Sequence, residues 1–187
     1  MAAIRAAAVD LFWTKGYEAA TMRELAARVG IEAGSLYNHF PSKQRLLADI
    51  LISTMEALLG QVEATLEDVR DANAATRLRA AIRAYVTFHD RYLVEAALTD
   101  TERRSLSGGD SERLLELRRR FADRFRELID AGVADGTFHV EDAGISTLAV
   151  LSVCARLPVW FRPEGRLDLD PVADLLATFC LTALGAD

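Results

Sequence analysis

At 187 residues, 51% hydrophobic and 27% charged, the chain can bury a substantial core, which excludes intrinsic disorder. Four prolines and eleven glycines, set against abundant alanine and leucine, favour helix over strand. The net charge of −6 hides an asymmetry: residues 1–45 hold six Lys/Arg and four Asp/Glu, whereas residues 46–187 hold 16 and 24. A polyanion is therefore expected to meet the first quarter of the chain and to be repelled by the rest.

Cys154 and Cys180 stand 26 residues apart in apolar runs, outside any CxxC or Cys/His cluster. Buried free thiols are expected, with no zinc site, no disulfide and a reducing compartment. Met1 leads straight into an amphipathic helix without a signal-peptide pattern. The longest uncharged stretch, 143–155, is 13 residues and too short to span a bilayer. These features predict a soluble, cytoplasmic protein with no membrane partner and no cofactor.

Taken in chain order, Ile4, Ala7, Ala8, Leu11 and Phe12 recur at helical spacing, and the helix stops at Lys15-Gly16. Thr21 and Glu24 form a capping box that opens a short helix ending at Val29-Gly30. A third short helix is expected over 33–40, ended by Phe40-Pro41. Leu11, Phe12, Tyr17, Leu25, Ala26, Val29, Ile31, Leu36 and Phe40 suffice for a small three-helix core. Ser42 can cap a long helix whose apolar stripe reaches Val69, and a further helix is expected over 76–98. A turn at 101–105 and a loop at 107–110 precede a helix over 111–131, which Gly132 and the Asp135-Gly136 turn should end. The last two helices, 145–161 and 172–184, are apolar nearly all round; Asp170 should cap the second, with Pro171 at its first position. A helix with no polar face needs cover on two sides, and a second copy of the chain is the expected cover. No strand is expected. The reading is all-α with about nine helices: an N-terminal three-helix helix-turn-helix domain, 1–45, and a C-terminal helical domain, 46–187, for effector binding and dimerisation.

Two short helices joined through Val29-Gly30-Ile31 make a helix-turn-helix, whose second helix enters the major groove. Small residues at its start allow close approach to base edges, and Tyr37, His39 and Lys43 carry donors suited to phosphate oxygens. The combination Lys15-Gly-Tyr17, Thr21-Met-Arg-Glu-Leu-Ala26, Val29-Gly-Ile31 and Gly34-Ser-Leu-Tyr-Asn-His-Phe-x-Ser-Lys-x-x-Leu-Leu47 closely resembles the DNA-binding domain of TetR/AcrR-type regulators. That resemblance covers about the first quarter of the chain. It implies that Thr21, Tyr37, His39 and Lys43 grip phosphates of double-stranded operator DNA, and that Arg23, Ala33, Gly34 and Ser35 face bases. Ala33 stands where a polar base reader is common, so it offers only apolar contact and leaves Arg23 and Ser35 the hydrogen-bond readout. A basic arm ahead of Ile4 is also missing.

In the larger domain, Tyr85, His89, Tyr92, Phe121, Phe125 and Trp160 are the expected lining of a pocket for a small hydrophobic effector. The stretch 160–167 resembles a TetR subgroup that regulates steroid and fatty-acid catabolism and whose members often respond to acyl-CoA thioesters. For such a ligand Arg103, Arg104, Arg156 or Arg162 could meet the phosphates. The expected function is a homodimeric repressor released from its operator by an effector. The alternatives are a ligand-independent DNA-binding regulator and an enzyme using the helical pocket. Against the enzyme, His39, His89 and His139 fall on separate elements, and no HExxH, GxSxG, P-loop or GxGxxG occurs.

Overall fold

The computed structural model describes residues 1–186. The chain runs through α1 (Ala2–Lys15), α2 (Met22–Val29), α3 (Ala33–His39), α4 (Lys43–Asp68), α5 (Ala74–Thr101) and a 3-10 turn (Arg103–Ser105). It continues through α6 (Gly108–Ala134), α7 (Ala143–Ala155), α8 (Leu157–Trp160) and α9 (Leu169–Ala183). Among the described residues there is no strand, in agreement with the all-α reading. By internal contacts the chain divides into two compact units, residues 1–55 with 94–115, and residues 56–93 with those from 116 onward.

In the first unit α1 buries Ile4, Ala8, Val9, Leu11 and Phe12. It ends at Gly16, whose φ of 85° favours a residue without Cβ and whose N–H donates to the Phe12 carbonyl at 3.1 Å. The Phe12 and Tyr17 rings meet edge to face, 5.3 Å between centroids. Arg5 ties α1 to α4, donating to the Ile50 carbonyl at 3.1 Å and to the Thr54 hydroxyl at 3.3 Å. Ser42 caps α4 as expected, accepting from the Arg45 N–H at 3.0 Å. The 107–110 segment departs from the expected loop, because α6 already starts at Gly108. Gly108 has a φ of 58°, which favours a residue without Cβ, and Gly109 in the first turn costs up to about 1 kcal/mol relative to alanine. Offsetting that, Asp110 sits in the first turn, where a carboxylate suits the helix dipole, and pairs with Arg45. Gln44 adds a bond to the Ser107 hydroxyl at 2.8 Å.

In the second unit Leu58, Val62, Leu78, Ile82, Val86, Phe121, Phe125 and Phe138 are buried. α6 runs past Gly132 to Ala134 and ends at the expected Asp135-Gly136 turn, where Gly136 has a φ of 79°. A Cβ at Gly132 would overlap the Phe138 ring, so the glycine admits that ring, and the Phe138 N–H donates to the Gly132 carbonyl at 2.9 Å. The expected single helix over 145–161 is two, broken at Arg156. Pro158 explains the break, having no N–H for the carbonyl four residues back and a ring that clashes with it. The same break interrupts the 143–160 stretch, whose mean hydropathy of 1.5 over 18 residues is that of a membrane span by length and composition. The last helix starts at Leu169 behind Asp168, earlier than expected. Pro171 fits its first turn, where N–H groups lack intrahelical acceptors anyway, and Asp170 accepts from Arg83 at 3.2 Å instead of capping. Within α5, Tyr92 leaves helical geometry (φ −126°, ψ 29°) and kinks a helix that the spacing predicts to be continuous.

Candidate DNA interface and effector core

The geometry of the helix-turn-helix starts at Thr21. Its hydroxyl accepts from the Glu24 N–H at 3.2 Å, and Glu24 reaches back to the Thr21 N–H at 3.0 Å, the expected capping box. The Thr21 hydroxyl also donates to the Glu24 carboxylate at 2.8 Å. The Lys15 ammonium and then the Thr21 hydroxyl hold the Glu24 carboxyl down at about 2, against an ordinary 4.5. Lys15–Glu24 and Arg28–Asp10 ion pairs pin α2 to α1. Gly30 follows in the left-handed region (φ 74°, ψ 31°) and turns the chain into α3.

α3 has one buried residue, Leu36, which anchors it, while Phe40 closes the unit behind it. Gly34, Ser35, Tyr37 and His39 are exposed and Ala33 is half-buried. Tyr37 is 49% exposed, high for a large ring. Arg23 is exposed on α2 and takes part in no ion pair or hydrogen bond among the described residues. Arg23, Ser35, Tyr37 and His39 thus present donors to solvent beside one short helix. Thr21 and Lys43 are engaged inside the unit. The Lys43 ammonium donates to the carbonyls of Tyr17 (2.7 Å), Ala20 (3.0 Å) and Glu18 (3.1 Å), and lies 4.3 Å from the centre of the Tyr17 ring.

The second unit brings four of the expected effector residues together. Tyr85 meets Phe121 edge-on at 5.0 Å, Phe125 at 6.3 Å and the His89 ring at 5.7 Å, and Phe121 and Phe125 lie 5.1 Å apart. Tyr92 stacks instead on Phe88 at 4.5 Å, and Trp160 is half exposed. His89, buried and bonded through Nδ1 to the carbonyls of Tyr85 and Val86, also lines a cleft of about 400 Å³. Thr87, Asp90, Leu93, Phe161, Pro163, Asp168, Leu169 and Asp170 form its other walls. Sequence reasoning missed these walls, because only the fold brings residues near 90 and near 168 together. Of the arginines expected for phosphates, Arg162 is turned back onto the Phe161 carbonyl at 2.8 Å, and Arg103, Arg104 and Arg156 are exposed. Both cysteines are free and buried, and burial pushes both thiols up, Cys180 to about 11.

The sequence pattern described as "Bacterial regulatory proteins, tetR family" matches residues 4–50, and that described as "Tetracyclin repressor-like, C-terminal domain" matches residues 71–184. The chain belongs to the TetR family. It is a DNA-binding transcriptional regulator with a C-terminal ligand-binding domain, related to repressors. A TetR-family regulatory protein of known structure from Rhodococcus RHA1 is 32% identical, with a TM-score of 0.93 over all of this chain and 97% of that one. The transcriptional repressor KstR2 of Rhodococcus jostii is 28% identical over 181 residues, 96% of this chain and 88% of its own length. AibR, solved in complex with isovaleryl coenzyme A and operator DNA, is 26% identical, with a TM-score of 0.86 over 95% of this chain and 96% of that one.

Proposed function

We propose that this TetR-family regulator is a cytoplasmic homodimeric repressor, released from operator DNA by a small, largely apolar effector of the acyl-thioester or related lipid class. Residues 1–45 read the DNA, and residues 46–187 sense the effector and dimerise. The observation that carries the reading is α3, anchored by Leu36 behind the Gly30 turn and presenting Gly34, Ser35, Tyr37 and His39 to solvent. Arg23 and Ser35 read base edges, Ala33 and Gly34 permit close approach, and Tyr37 and His39 hold phosphates.

The aromatic cluster of Tyr85, Phe121 and Phe125 with His89 supports an apolar effector, as does the acyl thioester bound by AibR. The cleft at His89 carries the carboxylates of Asp90, Asp168 and Asp170. Phosphates would be repelled there, so the charged end of such a ligand must lie elsewhere. The effector acts only through its differential affinity for the DNA-bound and released states.

The test begins with duplexes that the protein selects from a random library. A panel of acyl-CoAs, fatty acids and steroids is then titrated into the complex, with thermal shifts read in parallel. One class is expected to release the DNA and raise the melting temperature. Phe125→Ala should blunt that response while leaving DNA affinity near normal. Truncating a fully buried phenylalanine costs about 3–5 kcal/mol, so melting curves accompany the titration. A panel without release or thermal shift would favour the ligand-independent reading.

A further inference from the structure

We propose that Lys43 is a positioning residue: it locks the turn between α1 and α2 and so sets α2 for the operator, instead of gripping a phosphate itself. The inference rests on the DNA-binding role that family membership gives the first unit. An ammonium group has three N–H donors and no acceptor. All three are matched, by the carbonyls of Tyr17, Ala20 and Glu18 at 2.7, 3.0 and 3.1 Å. The Tyr17 ring, braced by Phe12, covers the same cation. A phosphate oxygen would have to take a donor from one of these carbonyls.

The turn needs that cation. Three carbonyl oxygens within four residues converge on one point, and their dipoles repel one another unless positive charge sits between them. The turn's own bonds, from the Ala20 N–H to the Gly16 and Tyr17 carbonyls at 3.2 Å, leave the Glu18 carbonyl to Lys43. Thr21 comes next in the chain, so slack in the turn passes directly to the capping box and to Arg23. A compact ammonium can serve three acceptors from one nitrogen; the planar guanidinium fork cannot.

Lys43→Met and Lys43→Arg separate the two roles, because arginine keeps the charge and loses the geometry. Each variant and the wild type are titrated with the tightest duplex that the wild type selects, at several salt concentrations. Hydrogen–deuterium exchange of residues 16–25 is followed without DNA. Both variants are expected to lose about tenfold or more in affinity, as when charge-assisted hydrogen bonds are removed. The slope of log affinity against log salt should stay at the wild-type value, and exchange at 16–25 should rise. The proposal is overturned if Lys43→Arg binds like wild type while Lys43→Met loses about one unit of slope, the signature of a phosphate contact. It is equally overturned if both variants keep affinity and protection. Should Lys43→Met not fold, Lys43→Arg decides alone by the same two readouts. If the wild type selects no duplex, the DNA reading fails, while exchange at 16–25 still tests the turn.

Discussion

The Glu24 carboxylate accepts from the Lys15 ammonium, the Thr21 hydroxyl and the Thr21 N–H, so one exposed acid joins the end of α1 to the start of α2. Those bonds favour its charged form and lower its pKa from 4.5 to about 2. A carboxyl depressed in the folded state binds protons more weakly there than when unfolded, so its stabilisation is complete above 4.5 and drains away as the pH falls towards 2. Glu24→Gln keeps the shape and removes the titration. Chemical denaturation of both proteins across the acid range should show the wild type more stable above pH 4.5, with the difference gone near pH 2. A difference that does not change with pH would assign the effect to packing and not to charge.

Seven residues of α3 are too few to make a stable helix alone, so its pose is inherited from Leu36 beneath it and from the Gly30 turn before it. Base reading then depends on α2 as well, since Arg23 projects from the helix that α3 leans on. Replacing Arg23 by alanine should relax preference at a single base pair, costing about 1–3 kcal/mol there if it reads a guanine. Titrations against the selected duplex and its single-base variants measure this; an equal loss on every duplex would make Arg23 a backbone contact. These elements were legible in the sequence because their signals are local: Thr21 and Glu24 three residues apart, glycines at 16 and 30, a proline at 41. Signals that depend on distant partners were not legible. Gly132 reads as a stop until Phe138 is seen filling the space of its missing Cβ, and Gly108 reads as loop until Arg45 meets Asp110. At Lys43 the bonds to three carbonyls are equally invisible in the sequence, because those carbonyls lie more than twenty residues away. Pro158 was a local signal outweighed by the run of apolar residues around it.

At the scale of the molecule, the most exposed large apolar side chains apart from Met1 lie, among the described residues, on α7 and α9. Ile145 and Leu148 on one, and Leu175 and Phe179 on the other, are between 59% and 69% exposed. Spacings of three and four residues put each pair on one helix face, opposite the buried Thr147, Val150 and Cys154 of α7 and Ala173, Ala177 and Cys180 of α9. In the proposed dimer such a patch would pair with its own copy across a two-fold axis. Dimerisation matters for DNA because two recognition helices must reach half-sites about 34–36 Å apart, and linking them makes the second contact effectively intramolecular. Light scattering of the wild type at micromolar concentration should give twice the 20.6 kDa chain mass. Phe179→Glu would bury two unpaired carboxylates across the two-fold axis, and is expected to give the single-chain mass with a large loss of operator affinity. Because Phe179 is exposed in the single chain, the helical circular dichroism of the variant should be unchanged. A wild type that scatters as a monomer would overturn the dimer, and a Phe179→Glu protein that remains a dimer would move the interface away from α7 and α9.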